Sequence, residues 1–373
     1  MKNIVILYKF LPHYRVEFYN LLREKLLKFD ISLSVIYGNS NAKDALKKDE
    51  VIVPWAKYVP NQRFYIGKTE LLWQPCLSIV RRYDLVIVQS ENKLLLNYLL
   101  MFYRRFKGLK LAFWGHVYNM QQNHDSLRNR FKLHFIKYCD WWFAYTKGAG
   151  NYLIEHGFQK DRITVVQNAI DSLALMRHYD NIEEEFVTAL RVELGIKSEN
   201  VGIFCGGMYP EKDLDFVLET CMLVKKEIPD FHMLFIGAGI HASKVIAAAE
   251  RNNWIHYLGP KLGMDRTSYF KIASIQLMPG LVGLCILDSF AMNTPIVTTD
   301  HDFHSPEIEY LENGVNGMMT KRDVVDYTRC IVDILINKKF KAMAVAGAVS
   351  AQKYTVEQMA DNFARGVIAA LAS

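Results

Sequence analysis

Short apolar runs alternate with amphipathic helical patterns along the first half of the chain. Buried strands are predicted at residues 3–8, 31–37, 85–89, 109–114 and 142–145. Helical periodicity is found at 14–29, 93–106 and 127–140. Strands that alternate with helices are joined by crossovers into a parallel sheet, so this half predicts a doubly wound α/β domain.

The second half repeats this alternation. Strands are predicted at 201–205, 232–236, 254–258, 275–278 and 295–298. Helices are predicted at 215–228, 242–252, 265–273, 284–292, 323–336 and 355–371. Between the halves, over 171–200, the apolar periodicity weakens and Glu183, Glu184 and Glu185 cluster, which indicates a linker. We therefore predict two Rossmann-like domains, 1–180 and 195–350, with the ligand in a crevice between them.

Size and cysteine usage limit the class of protein. A chain of 373 residues exceeds what one hydrophobic core usually fills, which again favours two domains. The six cysteines form no C-x-x-C pair, as expected in a reducing cytoplasm. The first residues predict a strand rather than a signal peptide, and no run of eighteen apolar residues occurs. The expected location is the cytoplasm.

Charge is distributed unevenly. Residues 1–180 contain 27 Lys and Arg against 15 Asp and Glu, whereas the remainder contains 18 against 24. A basic first half suggests an anionic partner, with nucleic acid, an anionic membrane surface and a lipid pyrophosphate as candidates. Basic residues interleave with Leu, Phe and Tyr over 94–110 and 128–137, which favours peripheral membrane contact or a solvated Rossmann helix face. No nucleic-acid recognition module is visible, so nucleic acid is disfavoured.

Residues 278–295 carry the most informative pattern. An apolar strand runs into Pro279-Gly280, and Gly283 and Leu284 open a predicted helix on which Asp288 lies one turn further along. A glycine loop at a helix start presents unpaired N–H groups to an anion. Phosphate at this point would bring ribose hydroxyls near Asp288, so the segment suits a nucleoside diphosphate.

The segment resembles the signature of glycosyltransferase family 4. That family shows Glu, seven residues, a second Glu and then Ala-Met-Ala-x-Gly-x-Pro; here Asp288 takes the second Glu position and 290–297 follow in register. Residues 305–308 and 313–317 resemble the family's later turns. The resemblance implies a retaining enzyme with the two-domain GT-B fold, in which the last helix, 355–373, packs back onto the first domain. It also implies that the second domain binds the nucleotide sugar and the first the acceptor.

Two positions depart from the family pattern. Gly206-Gly207 and Lys212 match its Gly-Arg-Leu-x-x-Glu-Lys loop, in which Arg and Lys hold the pyrophosphate, but Gly207 stands at the Arg position. Gly280 stands at the first Glu position, whose carboxylate holds hydroxyls of the donor sugar in the family. We expect a deoxy or amino sugar, or a backbone group as substitute.

No metal and no cofactor are expected. Asp213-Leu214-Asp215 is explained by acids at a helix start, and Asp300, His301, Asp302 and His304 form a weak candidate cluster for a divalent ion. Gly237-Ala238-Gly239 resembles a dinucleotide fingerprint, but no acidic residue follows the next strand, so we interpret it as structural.

Three residues of the first half are candidate site residues. His116 follows a strand, where an imidazole can bind a phosphate or sugar hydroxyl or act as acid or base, and family members often place a His there. His13 and Arg15 follow the first strand, and Arg15 at a helix start favours an anionic partner such as an acceptor phosphate.

The resulting hypothesis is a metal-independent glycosyltransferase that uses a UDP- or GDP-linked sugar. The acceptor would be a saccharide or lipid-linked saccharide, and the process surface polysaccharide assembly. The alternative is a GT-B protein that binds ligand without turnover, having lost activity with the changes at Gly280 and Gly207.

Overall fold

The computed structural model describes residues 1–41, 45, 50–67, 69–117 and 133–373. Its contacts separate the chain into two compact units, which divide between Asn168 and Ala169 and again between Thr355 and Val356. No helix in these described ranges has both the length and the apolar character needed to cross a bilayer. The predicted basic segment 128–137 lies partly outside the described residues, with Arg128, Arg130 and Lys132 among those not described.

The first unit is built on a parallel sheet of seven strands, in the order β3-β2-β1-β6-β7-β8-β9. Its strands are β1 (Lys2–Tyr8), β2 (Ile31–Tyr37), β3 (Lys57–Tyr58), β6 (Leu85–Gln89), β7 (Leu111–Gly115), β8 (Trp141–Ala144) and β9 (Ile163–Val165). A separate antiparallel hairpin consists of β4 (Gln62–Ile66) and β5 (Thr69–Trp73). The helices are α1 (Val16–Leu27), α2 (Leu77–Val80), α3 (Leu95–Lys107) and α4 (Lys147–Glu155). Buried Val, Ile, Leu and aromatic side chains occupy the central strands, as expected where helices cover both faces of a parallel sheet.

The last helix, α13 (Val356–Ala372), belongs to this first unit, as predicted. Its Phe363 ring stacks on Phe143 of β8, with centroids 4.1 Å apart, and meets Phe18 of α1 edge-on at 5.3 Å. Gly366 faces Thr164 and Phe143 so closely that a side chain would collide with both. This aromatic packing explains why the chain ends against the unit in which it begins.

The second unit contains six parallel strands in the order β12-β11-β10-β13-β14-β15. They are β10 (Val201–Cys205), β11 (His232–Ile236), β12 (Ile255–Tyr257), β13 (Ile275–Leu277), β14 (Ile296–Thr299) and β15 (Gly317–Thr320). The helices are α5 (Ser172–Asp180), α6 (Glu184–Glu193), α7 (Leu214–Glu227), α8 (Ala242–Arg251), α9 (Thr267–Ile272), α10 (Cys285–Ala291), α11 (Val324–Ile336) and α12 (Phe340–Ala351). The chain starts in the middle of the sheet, winds to one edge and returns to the other, which is the doubly wound topology.

The predicted linker differs from the structure. Segment 171–200 is largely helical, because Asp171 caps α5 and the glutamates begin α6, where acidic side chains favour the helix dipole. Both helices belong to the second unit, so the boundary near residue 168 lies earlier than the predicted range 180–195. In the sequence, a cluster of charged residues at a helix start cannot be told from one in a solvent-exposed linker.

Candidate functional site

Four loops of the second unit meet at the carboxyl edge of its sheet. They follow β10, β11, β13 and β14, and parallel strands bring the residues after them to one side. The N–H of Leu281 donates to the carbonyl of Glu211 (2.8 Å), and the N–H of Ser305 donates to the carbonyl of Val282 (2.8 Å). The loops after β10, β13 and β14 are therefore held together by their backbones.

Glycine is required where these loops touch. A Cβ atom on Gly280 would lie 2.5 Å from the Glu211 carbonyl oxygen, and one on Gly237 would overlap the carbonyl of Gly206. Gly206 itself has φ 156°, and a Cβ on Gly207 would meet the ring of Tyr209 at 2.7 Å. Position 280, where the family has Glu, is glycine here because backbone atoms fill the space. Position 207, where the family has Arg, is glycine where the Tyr209 ring fills it.

Lys212 lies inside this edge rather than on the surface. Its side chain is 5% exposed, and its ammonium donates to the carbonyl of Leu281 and lies 5.8 Å from the Tyr209 ring centroid. Burial lowers the pKa of Lys212, whereas its neighbours, first among them Tyr209 and Cys285, raise it. Their combined effect is the larger, so the pKa is raised overall. The contacts of its ammonium among the described residues are thus a carbonyl and a ring, in an edge built from glycine loops.

Asp288 is paired with an arginine that the sequence patterns did not single out. Both carboxylate oxygens accept hydrogen bonds from Arg266, Oδ2 from Nη1 at 2.8 Å and Oδ1 from Nη2 at 2.6 Å. The Asp288 side chain is 8% exposed and that of Arg266 17%. Asp288 therefore already has a bidentate partner, and its role toward ribose stays a prediction.

The start of α10 agrees with the predicted glycine loop. Leu284 is the N-cap residue, and in the described part of the chain the N–H groups of Gly283 and Leu284 donate no backbone hydrogen bond. The helix is only seven residues long, ends before Asn293 at φ 51° and is buried along most of its length. Leu281, two residues before Gly283, connects this segment to the Lys212 loop, and Val282 connects it to the loop after β14.

His304 fixes the same loop and is not placed as a metal ligand. Its Nδ1 accepts the Val282 N–H (3.0 Å) and its Nε2 lies 2.7 Å from the Thr299 carbonyl, so Nε2 carries the proton. Burial lowers the pKa of His304, which keeps the ring neutral. In the ranges that the structure describes, no group of three or more His, Cys, Asp or Glu side chains could hold a metal ion.

The three candidates of the first unit differ in accessibility. His116 directly follows β7 and is exposed, with its ring 4.7 Å from that of Tyr145. His13 is half-buried in a short 3-10 turn, edge-on to Tyr14.

Arg15 is 1% exposed and donates to Asn168 Oδ1 (2.5 Å), with the ring of Trp114 5.4 Å from its guanidinium. The acceptor-phosphate role of Arg15 stays a prediction, and its guanidinium already contacts Asn168 and Trp114 inside the unit.

Comparison with known proteins agrees with this architecture. Crystal structures of HepE from Anabaena, in complex with UDP and with UDP-glucose, align with TM-scores of 0.71 and 0.70 at 16% identity, covering 99% of this chain and 100% of HepE. A glycosyltransferase from Rickettsia africae aligns with a TM-score of 0.69 at 15% identity, over 99% of this chain and 98% of its own. Sucrose-phosphate synthase from Thermosynechococcus elongatus aligns at 0.70 and 12% identity over all of both chains.

The fold is GT-B.

The sequence comparison is narrower than the structural one. Residues 199–337 match the family described as Glycosyl transferases group 1, which includes every second-unit candidate discussed above. No curated protein matches the chain in sequence. The family match and the GT-B fold together support a glycosyltransferase.

Arg266 is the site residue that sequence reasoning missed. It ends a short turn, Gly263–Arg266, between β12 and α9, inside a segment predicted only as an ordinary helix start. Arg266 and Asp288 are 22 residues apart, and no helical or strand spacing connects them. Only the order of the strands brings the loop after β12 to the end of β10.

Proposed function

We propose that the protein is a retaining glycosyltransferase that moves a sugar from a UDP- or GDP-linked donor to a saccharide or a lipid-linked saccharide. The observation that carries the proposal is the edge of the second sheet, where buried Lys212 and paired Asp288 lie against the loops of Gly206 and Gly280. HepE, which shares the fold, has been crystallised with UDP and UDP-glucose. Surface polysaccharide assembly is the process we propose, on the family resemblance.

The chemistry assigned to this edge is stabilisation of the leaving nucleoside diphosphate. Negative charge develops on the diphosphate as the bond to the sugar breaks, and fixed positive groups lower that barrier most where water is excluded. Lys212 and the amides of Gly283 and Leu284 supply such groups without a metal ion. The ammonium has three N–H donors, of which the Leu281 carbonyl takes one. Asp288 would accept hydrogen bonds from ribose hydroxyls while it stays paired with Arg266.

Two histidines of the first unit are assigned to the transferred sugar and to the acceptor. His116 is exposed at the carboxyl end of β7, where it would orient the transferred sugar or the β-phosphate. His13, half-buried after β1, is the remaining acceptor candidate. Arg15 is not proposed as a contact, because its guanidinium is enclosed.

The side chain missing at position 280 bears on the choice of sugar. With no space for a carboxylate at Gly280, we propose a donor sugar with fewer hydroxyls to hold, such as a deoxy or amino sugar. A panel of UDP- and GDP-sugars tests this, and clear preference for UDP-glucose or GDP-mannose would contradict it.

The activity is tested by release of UDP or GDP from nucleotide sugars, alone and with saccharide acceptors. Transfer with retention gives a product whose anomeric configuration, read by NMR, matches that of the donor. If the protein binds nucleotide sugar but releases no UDP or GDP with any acceptor, the alternative is favoured, a GT-B protein without turnover.

Peripheral membrane contact is proposed for α3 of the first unit. Phe102 and Phe106 are 52% and 64% exposed, with ring centroids 4.7 Å apart, and Arg105 and Lys107 flank them. An apolar pair among cations suits an anionic bilayer surface. Vesicles with anionic lipid should sediment the wild-type protein and retain less of Phe102→Ser/Phe106→Ser; equal retention would contradict the proposal.

A further inference from the structure

The guanidinium of Arg266 joins three segments of the second unit. Besides its two bonds to Asp288 on α10, Nε donates to the carbonyl of Gly263 (3.3 Å) and Nη1 lies 4.0 Å from Sγ of Cys205. Cys205 is the last residue of β10 and directly precedes Gly206. The charge of Arg266 is therefore located beside the loop in which the family keeps its own arginine.

The position of that family arginine is closed in this chain. A Cβ on Gly207 would already meet the Tyr209 ring at 2.7 Å, so a long side chain there would require the ring to move. A diphosphate carries more than one negative charge, and Lys212 supplies one cation. A second cation from another loop would balance more of this charge, and Arg266 lies next to Cys205 at the end of β10.

Arg266 keeps donors for an additional anion while it holds Asp288. An arginine has five N–H groups, and three of those on Arg266 donate to oxygen, in Gly263 and Asp288. A fourth faces the Cys205 sulfur, which is a weak acceptor, and for the fifth, on Nη2, the described residues provide no acceptor. The side chain is 17% exposed, so a ligand can reach it without breaking the pair with Asp288.

A purely stabilising role explains this pair less well. Taking both charges out of water costs free energy that the attraction between them only partly returns, so apolar side chains would serve stability as well. Burial lowers the pKa of the guanidinium, but Asp288 and Cys205 together raise it, so the net direction is upward. Arg266 therefore stays charged at a place where the fold alone gains little from a charge.

We propose that Arg266 binds the diphosphate of the nucleotide donor, as the second cation beside Lys212, while its other face positions Asp288 for the ribose. The proposal rests on the function proposed above and assigns one further residue of its site. A bidentate guanidinium recognises phosphate oxygens in a way that a single ammonium does not.

The test compares a nucleoside diphosphate with its monophosphate. Calorimetry on the wild-type protein with UDP, GDP and ADP first identifies the diphosphate that binds, and the matching monophosphate is then measured. Arg266→Gln should weaken the diphosphate about 10- to 100-fold and the monophosphate about threefold or less, because the lost contact is to the second phosphate. The matched control is Arg251→Gln, at the exposed end of α8, which should leave both affinities at the wild-type value.

A second variant guards against misfolding. Arg266→Gln leaves Asp288 buried without its partner, whereas Arg266→Gln/Asp288→Asn removes both charges, and its ratio of diphosphate to monophosphate affinity should fall by a similar factor. An unchanged ratio in either folded variant, or equal weakening of both ligands, would overturn the role of Arg266 and leave the proposed function standing. Failure of the wild-type protein to bind any of the three diphosphates would overturn both.

Discussion

A β-carbon on Gly280 would lie 2.5 Å from the carbonyl oxygen of Glu211. The same atom would lie 2.8 Å from the Cα of Lys212, so the loop after β13 rests directly on the backbone of the loop after β10. Glycine at this position therefore sets how closely the two loops approach, and the loss of the family's carboxylate follows from that packing.

Gly280→Ala should destabilise the second unit. The added methyl group meets backbone atoms that cannot rotate away, and overpacking of this kind costs about 1–3 kcal/mol in the free energy of unfolding. Gly283→Ala is the matched control, since its Cβ would meet only the Ser305 side chain, no closer than 3.3 Å, and should cost less. Urea denaturation measures both; a Gly280→Ala protein as stable as wild type would contradict the packing argument. Gly280→Glu should likewise fail to restore activity toward fully hydroxylated sugars.

Removing one partner of the Asp288–Arg266 pair should cost more than removing both. Asp288→Ala leaves a buried guanidinium without its counter-charge, which destabilises by about 3–5 kcal/mol. Asp288→Ala/Arg266→Met should recover a large part of this loss in chemical denaturation. The exposed pair Arg329–Asp326 provides the comparison, and Asp326→Ala should change stability by about 0.5 kcal/mol or less. A double variant no more stable than Asp288→Ala would show that the pair is not coupled in this way.

Alkylation of Cys285 should report occupancy of the candidate site. Cys285 begins α10 beside the glycine loop and is half-buried, whereas Cys76, Cys139, Cys205 and Cys221 are buried. UDP or GDP bound at the loop would cover the thiol and slow its reaction with N-ethylmaleimide, as measured by mass spectrometry. Cys330 is the internal control, because it is also half-buried but belongs to α11, a helix outside the glycine loops. Equal protection of both cysteines, or of neither, would place the nucleotide elsewhere.

Acid should destabilise the second unit through His232 and His256. The two rings stack, with Nδ1 of His232 and Nε2 of His256 3.0 Å apart, so one nitrogen donates and the other accepts. Burial, and then the neighbouring His232, lowers the pKa of His256 to about 4. Burial, and then Lys225, lowers the pKa of His232, and Asp230 partly opposes this shift.

The direction of the effect follows from these lowered pKa values. The unfolded chain binds protons near pH 6.5 and the folded pair does not, so the contribution to stability is complete above pH 6.5 and is lost as the pH falls toward 4. Allowing for the partial exposure of the rings, the loss should be about 1–2 kcal/mol. Thermal unfolding between pH 7 and pH 4 measures it, and His256→Gln should flatten the slope. If the His256→Gln protein loses stability with falling pH as steeply as wild type, the histidine pair is not the source of the pH dependence.

Much of the fold was predictable because parallel sheets leave a strong pattern. Strands buried on both faces appear as continuous apolar runs, so β1, β6, β10 and β11 were found nearly to the residue. Short or partly exposed strands were missed, among them β3, β9 and the hairpin of β4 and β5, because their residues lack such a run. Helices α5 and α6 were hidden by the charges at their starts.

The sequence by itself determined the two βα series, the glycine loops and the presence of Lys212 and Asp288 beside them, because glycine, strand and helix signals are local. Only the tertiary structure decided which charges meet. It enclosed Arg15 with Asn168, buried Lys212 against Leu281 and brought Arg266 to Asp288. The reason is physical: whether a charged side chain faces solvent or a partner depends on the order of strands in the sheet, and residues 22 apart carry no periodic signal of their contact.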